Sequence, residues 1–122
     1  MRVLHILNHV REIGNGIVNV AVDLACLQAK SGHDVAIASA GGEYEILLAQ
    51  YGVQHFQLDQ TRTPMNLIHA VRGYREIIKE FQPDIVHAHM MTGVVLGKIL
   101  KAGNSYALVA TVHNEFQRSA IL

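Results

Sequence analysis

The sequence predicts an α/β sandwich: a parallel sheet in the order 3-2-1-4-5, covered by helices on both faces to make three layers. Three observations carry this expectation. Short apolar runs alternate along the chain with longer stretches whose apolar residues recur every three or four positions. The runs are mostly apolar throughout, as strands buried on both faces are. Half of the 122 residues are hydrophobic and only 16% are charged, with a mean hydropathy of +0.20. Such a chain buries one sizeable core and is not disordered.

Val3 to Leu7 is the first run, and the polar stretch from Asn8 makes a loop up to Gly14. Ile17, Val20, Ala21, Leu24 and Leu27 then fall at helical spacing, with Asn19, Asp23, Gln28 and Lys30 elsewhere on the wheel. Ser31-Gly32 stops that helix, glycine being suited to a left-handed cap. Val35 to Ala38 is the second strand, Gly41-Gly42 a turn, and Glu43 to Tyr51 a short helix. Val53 to Leu58 alternates, which puts the third strand nearer an edge. Asp59 to Pro64 reads as a loop. Met65 to Phe81 is a helix with its stripe at Ile68, Val71, Tyr74, Ile78 and Phe81, ended by Pro83. Asp84 to His87 starts the fourth strand around Ile85-Val86. Thr92 to Ala102 is a small-residue helix, Gly103-Asn104-Ser105 a turn, and Tyr106 to Val112 the fifth strand. Helices regularly placed between short parallel strands make the arrangement Rossmann-like.

Ten basic residues balance ten acidic ones, so the chain offers no net field for nucleic acid, and no nucleic-acid partner is expected. Cys26 is the only cysteine, which rules out an intrachain disulfide and suits a reducing interior. No segment reaches the roughly 18 apolar residues of a membrane span, and the short apolar start lacks the features of a signal peptide. The sequence therefore reads as cytoplasmic. Its apolar end, Ser119 to Leu122, just after the fifth strand, reads as a piece cut from a longer protein.

Eight histidines are many for this length. In open parallel sheets, ligands bind beyond the carboxyl ends of the strands. His9 follows the first strand, His87 and His89 end the fourth, and His113 ends the fifth. The imidazoles of His9, His89 and His113 are expected to crowd one crevice beside Gly14-Asn15-Gly16, with His87 sharing the face of His89. His5, inside the first strand, reads as a satisfied buried histidine, and His33, His55 and His69 as surface or element-end residues. Asn15-Gly16 opens the first helix, where free amides suit a phosphate or a sugar oxygen. The full dinucleotide fingerprint is absent, because Asn19 holds its third glycine position, and no acidic residue ends the second strand. Arg72, Arg75 and Lys79 form a basic stripe, read as a solvated face or a weak contact with anionic lipid.

Four stretches resemble family 4 glycosyltransferases. Asn15-Gly16 before a helix containing Asp23-Leu24-Ala25 looks like their glycine turn. Gly32-His33-Asp34-Val35 resembles their helix-to-strand junction, Pro83-Asp84-Ile85-Val86-His87-Ala88-His89 their fourth strand, and Thr111-Val112-His113 their next strand end. The stretches occur in the family's order over nearly the whole chain. The resemblance implies a GT-B fold, of which this chain is the first part of the N-terminal, acceptor-side domain. The C-terminal domain that holds most of the nucleotide sugar is missing, so the fragment alone is expected to be inactive. It implies hexosyl transfer from a nucleotide-sugar donor to a sugar or lipid-linked acceptor, with retention of configuration, no cofactor and no metal. By the same resemblance Asn15 and Gly16 approach the donor diphosphate, His113 sits at the reacting centre as the catalytic residue, and His89 lines the cleft. His9 and His87 join it as candidate substrate-binding residues. One departure stands out: Asn15 replaces the first glycine of the turn, and Val18 stands where many members have glutamate.

Two readings from other classes stay open on the residues alone. One is a stand-alone flavodoxin-like module that binds a phosphorylated small ligand in the same crevice. The other is a metal-dependent hydrolase using His87, His89 and His113. The uncovered edge of the fifth strand also suggests a homodimer of the fragment, and peripheral contact with the inner membrane face is a further expectation.

Overall fold

The computed structural model describes residues 1–60, 63–101 and 104–111. Nine elements follow in strict alternation: β1 (Arg2–Ile6), α1 (Gly16–Lys30), β2 (Asp34–Ser39), α2 (Tyr44–Gln50), β3 (Gln54–Gln57), α3 (Pro64–Phe81), β4 (Ile85–Ala88), α4 (Met91–Leu100) and β5 (Ala107–Ala110). The strands form one parallel sheet in the order β3-β2-β1-β4-β5, as the sequence predicts. β3 is an edge strand, in keeping with its alternating pattern.

The two-residue period of the strands divides the core in two. Leu4 and Ile6 of β1, Ala36 and Ala38 of β2, and Val86 and Ala88 of β4 pack against α3 and α4. Val35 and Ile37 of β2, with Leu7 just past β1, pack against α1 and α2. β1, at the centre, contributes fully buried Leu4, His5 and Ile6.

Element ends depart from the sequence reading for local reasons. α3 starts at Pro64, not Met65, because Thr63 caps it with its hydroxyl, which accepts from Asn66 N–H, and proline fits the first turn, where no amide is needed. α3 ends with Gln82 in the left-handed conformation one residue before Pro83. The small residues of α4 have a steric cause. A Cβ on Gly93 would lie 2.8 Å from Ile6 Cγ2, and one on Gly97 would lie 2.8 Å from the Tyr74 hydroxyl. Two glycines therefore let α4 lie close on the sheet and under Tyr74. That side chain is fully buried and donates its hydroxyl proton to Gly93 O at 3.1 Å.

Candidate active site

The carboxyl ends of the parallel strands share one rim. Asn8, His9 and Arg11 follow β1, Ala40 and Gly41 follow β2, Asp59 and Gln60 follow β3, and Thr92 lies in the first turn of α4. Together they line a cavity of about 550 Å³. Asn8 and His9 also line a smaller recess of about 120 Å³, which Asn15, Ile17 and Val18 close from the start of α1.

Backbone pairing holds the loop after β1 at this rim. Ala40 N–H donates to Asn8 O at 2.9 Å, Val10 N–H to Gly41 O at 3.1 Å, and Tyr44 N–H to Val10 O at 3.0 Å. The approach is so close that a Cβ on Gly42 would lie 2.4 Å from Val10 C and Arg11 N, so glycine is required there. Ser39 Oγ supports the same turn. It accepts from Gly41 N–H and lies 2.7 Å from His55 Nε2, while His55 Nδ1 lies 3.4 Å from Glu45. This serine–histidine–glutamate chain is a clamp, because the buried Ser39 hydroxyl is already engaged by Gly41 N–H and His55. His55 thus sits inside a network, and its pKa is lowered by burial against the opposing pull of Glu45.

His9 is half-buried and lines both cavities. Its Nδ1 accepts from Arg11 N–H at 3.1 Å, which puts the ring proton on Nε2. Burial first, then the Arg11 charge, lowers its pKa, with Glu43 opposing, so the neutral ring is favoured near pH 7. Asn15 lines the smaller recess, but its side chain is spent on α1: Oδ1 accepts from Ile17 N–H at 2.9 Å and Val18 N–H at 3.3 Å. The asparagine that departs from the family's glycine is the helix cap. Gly16 begins α1, and a Cβ there would meet nothing within 4 Å, so the chain itself does not demand glycine. No acidic residue stands in the first turn to oppose an anion.

Among the described residues, His9 and His89 do not line a common cavity. His89 and His87 line neither cavity. His5 and His87 are Cα partners on adjacent strands, and His89, two residues on, shares their side of the sheet. His89 is 2% exposed, its Nε2 lies 3.0 Å from His5 Nδ1, and its ring stacks on His87 with centroids 4.1 Å apart. Gln28 Oε1, from α1, accepts from His5 Nε2–H at 2.7 Å, and His87 Nε2 bonds the Thr111 hydroxyl. Burial pushes the His5 pKa down to about 4; the Gln28 bond opposes that and His87 reinforces it. His5 is the satisfied buried histidine that the sequence suggests, but it is also the member of this cluster that a search of strand ends misses. The strand parity of positions 5, 87 and 89 is the signal that finds it.

Donor nitrogens of the three rings lie within 4.8 Å of one another. The ring planes are only 23–38° apart, however. Lone pairs lie in the ring planes, and those of near-parallel stacked rings run side by side. They do not meet at a point about 2.0–2.1 Å from each nitrogen, as a zinc site needs. As arranged, the cluster is a hydrogen-bonded stack of rings. His113, the expected catalytic residue, lies outside the described residues.

The comparisons with known proteins agree with this frame. A glycosyltransferase from Rickettsia africae ESF-5 superposes with a TM-score of 0.71 at 18% identity, over 97% of this chain and 32% of that one. MurG from Acinetobacter baumannii gives 0.68 at 15% identity, over 98% and 39%. Anabaena Alr3699/HepE, solved in complex with UDP and glucose, gives 0.68 at 17% identity, over 93% and 30%. The chain therefore spans about a third of the length of the solved structures it matches, and these likenesses show the fold. No curated protein matches it. The family described as "Glycosyl transferase 4-like" matches residues 7–119, nearly the whole chain, and the chain belongs to that family.

Proposed function

We propose that the chain is the acceptor-side half of a retaining transferase that moves a hexose from a nucleotide-sugar donor to a sugar or lipid-linked acceptor, without a metal. The observation that carries this reading is the start of α1. Its N-terminus opens on the smaller recess, its first turn bears no acid, and Gly16 leaves room for a ligand to approach the backbone. Ile17 and Val18 N–H are taken by Asn15, which leaves Gly16 N–H as the first-turn amide without an acceptor among the described residues. As the glycosidic bond to the donor breaks, the diphosphate gathers negative charge and the sugar becomes cationic. A fixed amide and the helix dipole stabilise that charge without reorganising. Neutral His9 and the adjoining larger cavity then suit a sugar bound through hydroxyl groups.

The family match and a neighbour solved with UDP and glucose support a nucleotide-sugar donor. Membrane contact belongs to the same reading. Met65, Ile68, Arg72, Arg75 and Lys79 recur every three or four residues of α3 and are exposed, an apolar-then-basic stripe that suits an anionic lipid surface. No helix among the described residues is long and apolar enough to cross a membrane.

The test uses the whole protein. Binding of UDP-glucose, followed by calorimetry, is expected to weaken when Gly16→Val fills the space at α1. His113→Ala is expected to lower kcat by roughly a hundredfold with the fold unchanged. Near-wild-type turnover of His113→Ala rejects that residue's role, and unchanged donor binding by Gly16→Val rejects the diphosphate site.

A further inference from the structure

We propose that Gln60 determines acceptor specificity: its side-chain carbonyl receives a hydrogen bond from a hydroxyl group of a sugar seated in the larger cavity. This rests on the reading of the rim as a glycosyl-transfer site.

Gln60 follows the edge strand β3, where a polar side chain is expected in solvent, yet it is only 5% exposed. Its Nε2–H donates to Leu7 O at 3.0 Å, at the end of the central strand. That bond fixes the amide: turning it over would set carbonyl against carbonyl. The orientation leaves Oε1, which has no hydrogen-bond partner among the described residues. Burying an acceptor without a partner is unfavourable, and a leucine or methionine of similar volume would avoid it. The residue lines the 550 Å³ cavity, alongside Asn8, His9 and Thr92. Oε1 itself is closed to solvent, so a hydroxyl delivered to that wall satisfies the carbonyl as the wall yields around the sugar.

The chemistry narrows the ligand. A fixed amide carbonyl only accepts, carries no charge and does not titrate. It therefore selects a neutral donor group and makes no proton transfer. A site built around a buried acceptor discriminates strongly against an analogue that lacks the matching hydroxyl, because the acceptor is then left unpaired. Gln60 is accordingly a binding and positioning residue whose loss raises KM.

The experiment uses the whole protein with D-glucose and its singly deoxygenated isomers as probes, followed by NMR of backbone and side-chain amides. D-glucose is expected to shift the Gln60 side-chain amide resonances. One deoxy isomer is expected to bind at least about tenfold more weakly than D-glucose. In Gln60→Met that difference should vanish. Gln60→Glu supplies a rescue that a purely structural role would not show. Its carboxylate opposes Leu7 O, but once protonated it donates to Leu7 O and keeps a carbonyl as acceptor. Its preference for D-glucose over that deoxy isomer, relative to wild type, should therefore recover as the pH falls from 8 to 5.5, whereas restoring the Leu7 bond alone would strengthen both sugars equally. His9, Arg11 and Asp59 around the cavity are common to both proteins and cancel in that ratio. If Gln60→Met fails to fold, the Gln60→Glu series decides alone. Shifts at His9 and Thr92 with Gln60 silent, equal binding of all the deoxy isomers, or no recovery in Gln60→Glu overturns the proposal and leaves the transfer reading intact. If neither D-glucose nor UDP-glucose perturbs any rim residue, both fall.

Discussion

Single residues here owe their state to which side of the sheet their strand turns them to. His5 is the clearest case, fully buried on the central strand among His87 of β4, His89 just beyond it and Gln28 of α1. Its pKa of about 4 in the folded chain lies below the 6.5 of a free imidazole. The unfolded chain therefore takes up the proton first as the pH falls. The neutral ring's contribution to stability is complete above about pH 6.5, declines between 6.5 and 4, and is gone below. That window corresponds to about 3 kcal/mol. Urea denaturation across it should show the loss in wild type and a markedly flatter profile in His5→Gln, which cannot titrate. Equal slopes in the two proteins would mean that His5 is not the group that charges. The same parity explains what was legible at this scale. Position 5 inside an apolar run is read correctly as a buried histidine. For positions 87 and 89 the same reading stops short, because lying at a strand's end does not say which face of the sheet a side chain takes.

α1 and α3 begin where a side chain satisfies their open backbone amides, and α1 shows how a family signature is modified by that need. Asn15 stands in place of a glycine and caps the helix through Ile17 and Val18 N–H. Asn15→Ala should destabilise the protein by about 1 kcal/mol, while Asn15→Gly should cost only a few tenths. Thermal unfolding of the two variants measures the difference; equal losses would show that the side chain does not cap. Most element types and their order were legible because apolar spacing and turn residues agree along the chain. The small residues of α4 were legible as a pattern but not as a cause. Gly93 and Gly97 answer to Ile6 and Tyr74, which are distant in sequence. The rim was half legible. His9, Asn15 and Gly16 sit beside a strand end or helix start that the pattern locates. Arg11, Asp59 and Thr92 do not advertise themselves, and Gln60 is polar in a stretch that reads as an ordinary loop. Its burial depends on Leu7 O, from a strand far away in sequence.

At the scale of the molecule, the sheet's two edges differ in how they meet a second chain. An edge strand offers a row of unpaired N–H and C=O groups, which proteins blunt with charge, proline or irregularity. β3 has the sequence Gln-His-Phe-Gln and holds a histidine beside Glu45, so polar groups guard it. β5 reads Ala-Leu-Val-Ala, without a charge or a proline, and its residues are exposed apart from half-buried Leu108. Val109 is 43% exposed. Among the described residues β5 pairs only with β4, so this strand can accept another in the sheet. The 122-residue chain is therefore expected to pair through β5, doubling its mass in light scattering as concentration rises. Val109→Lys should restore the monomer, because pairing would bring two like charges close together. A monomer mass for wild type at high concentration, or a dimer untouched by Val109→Lys, would take the contact away from this edge.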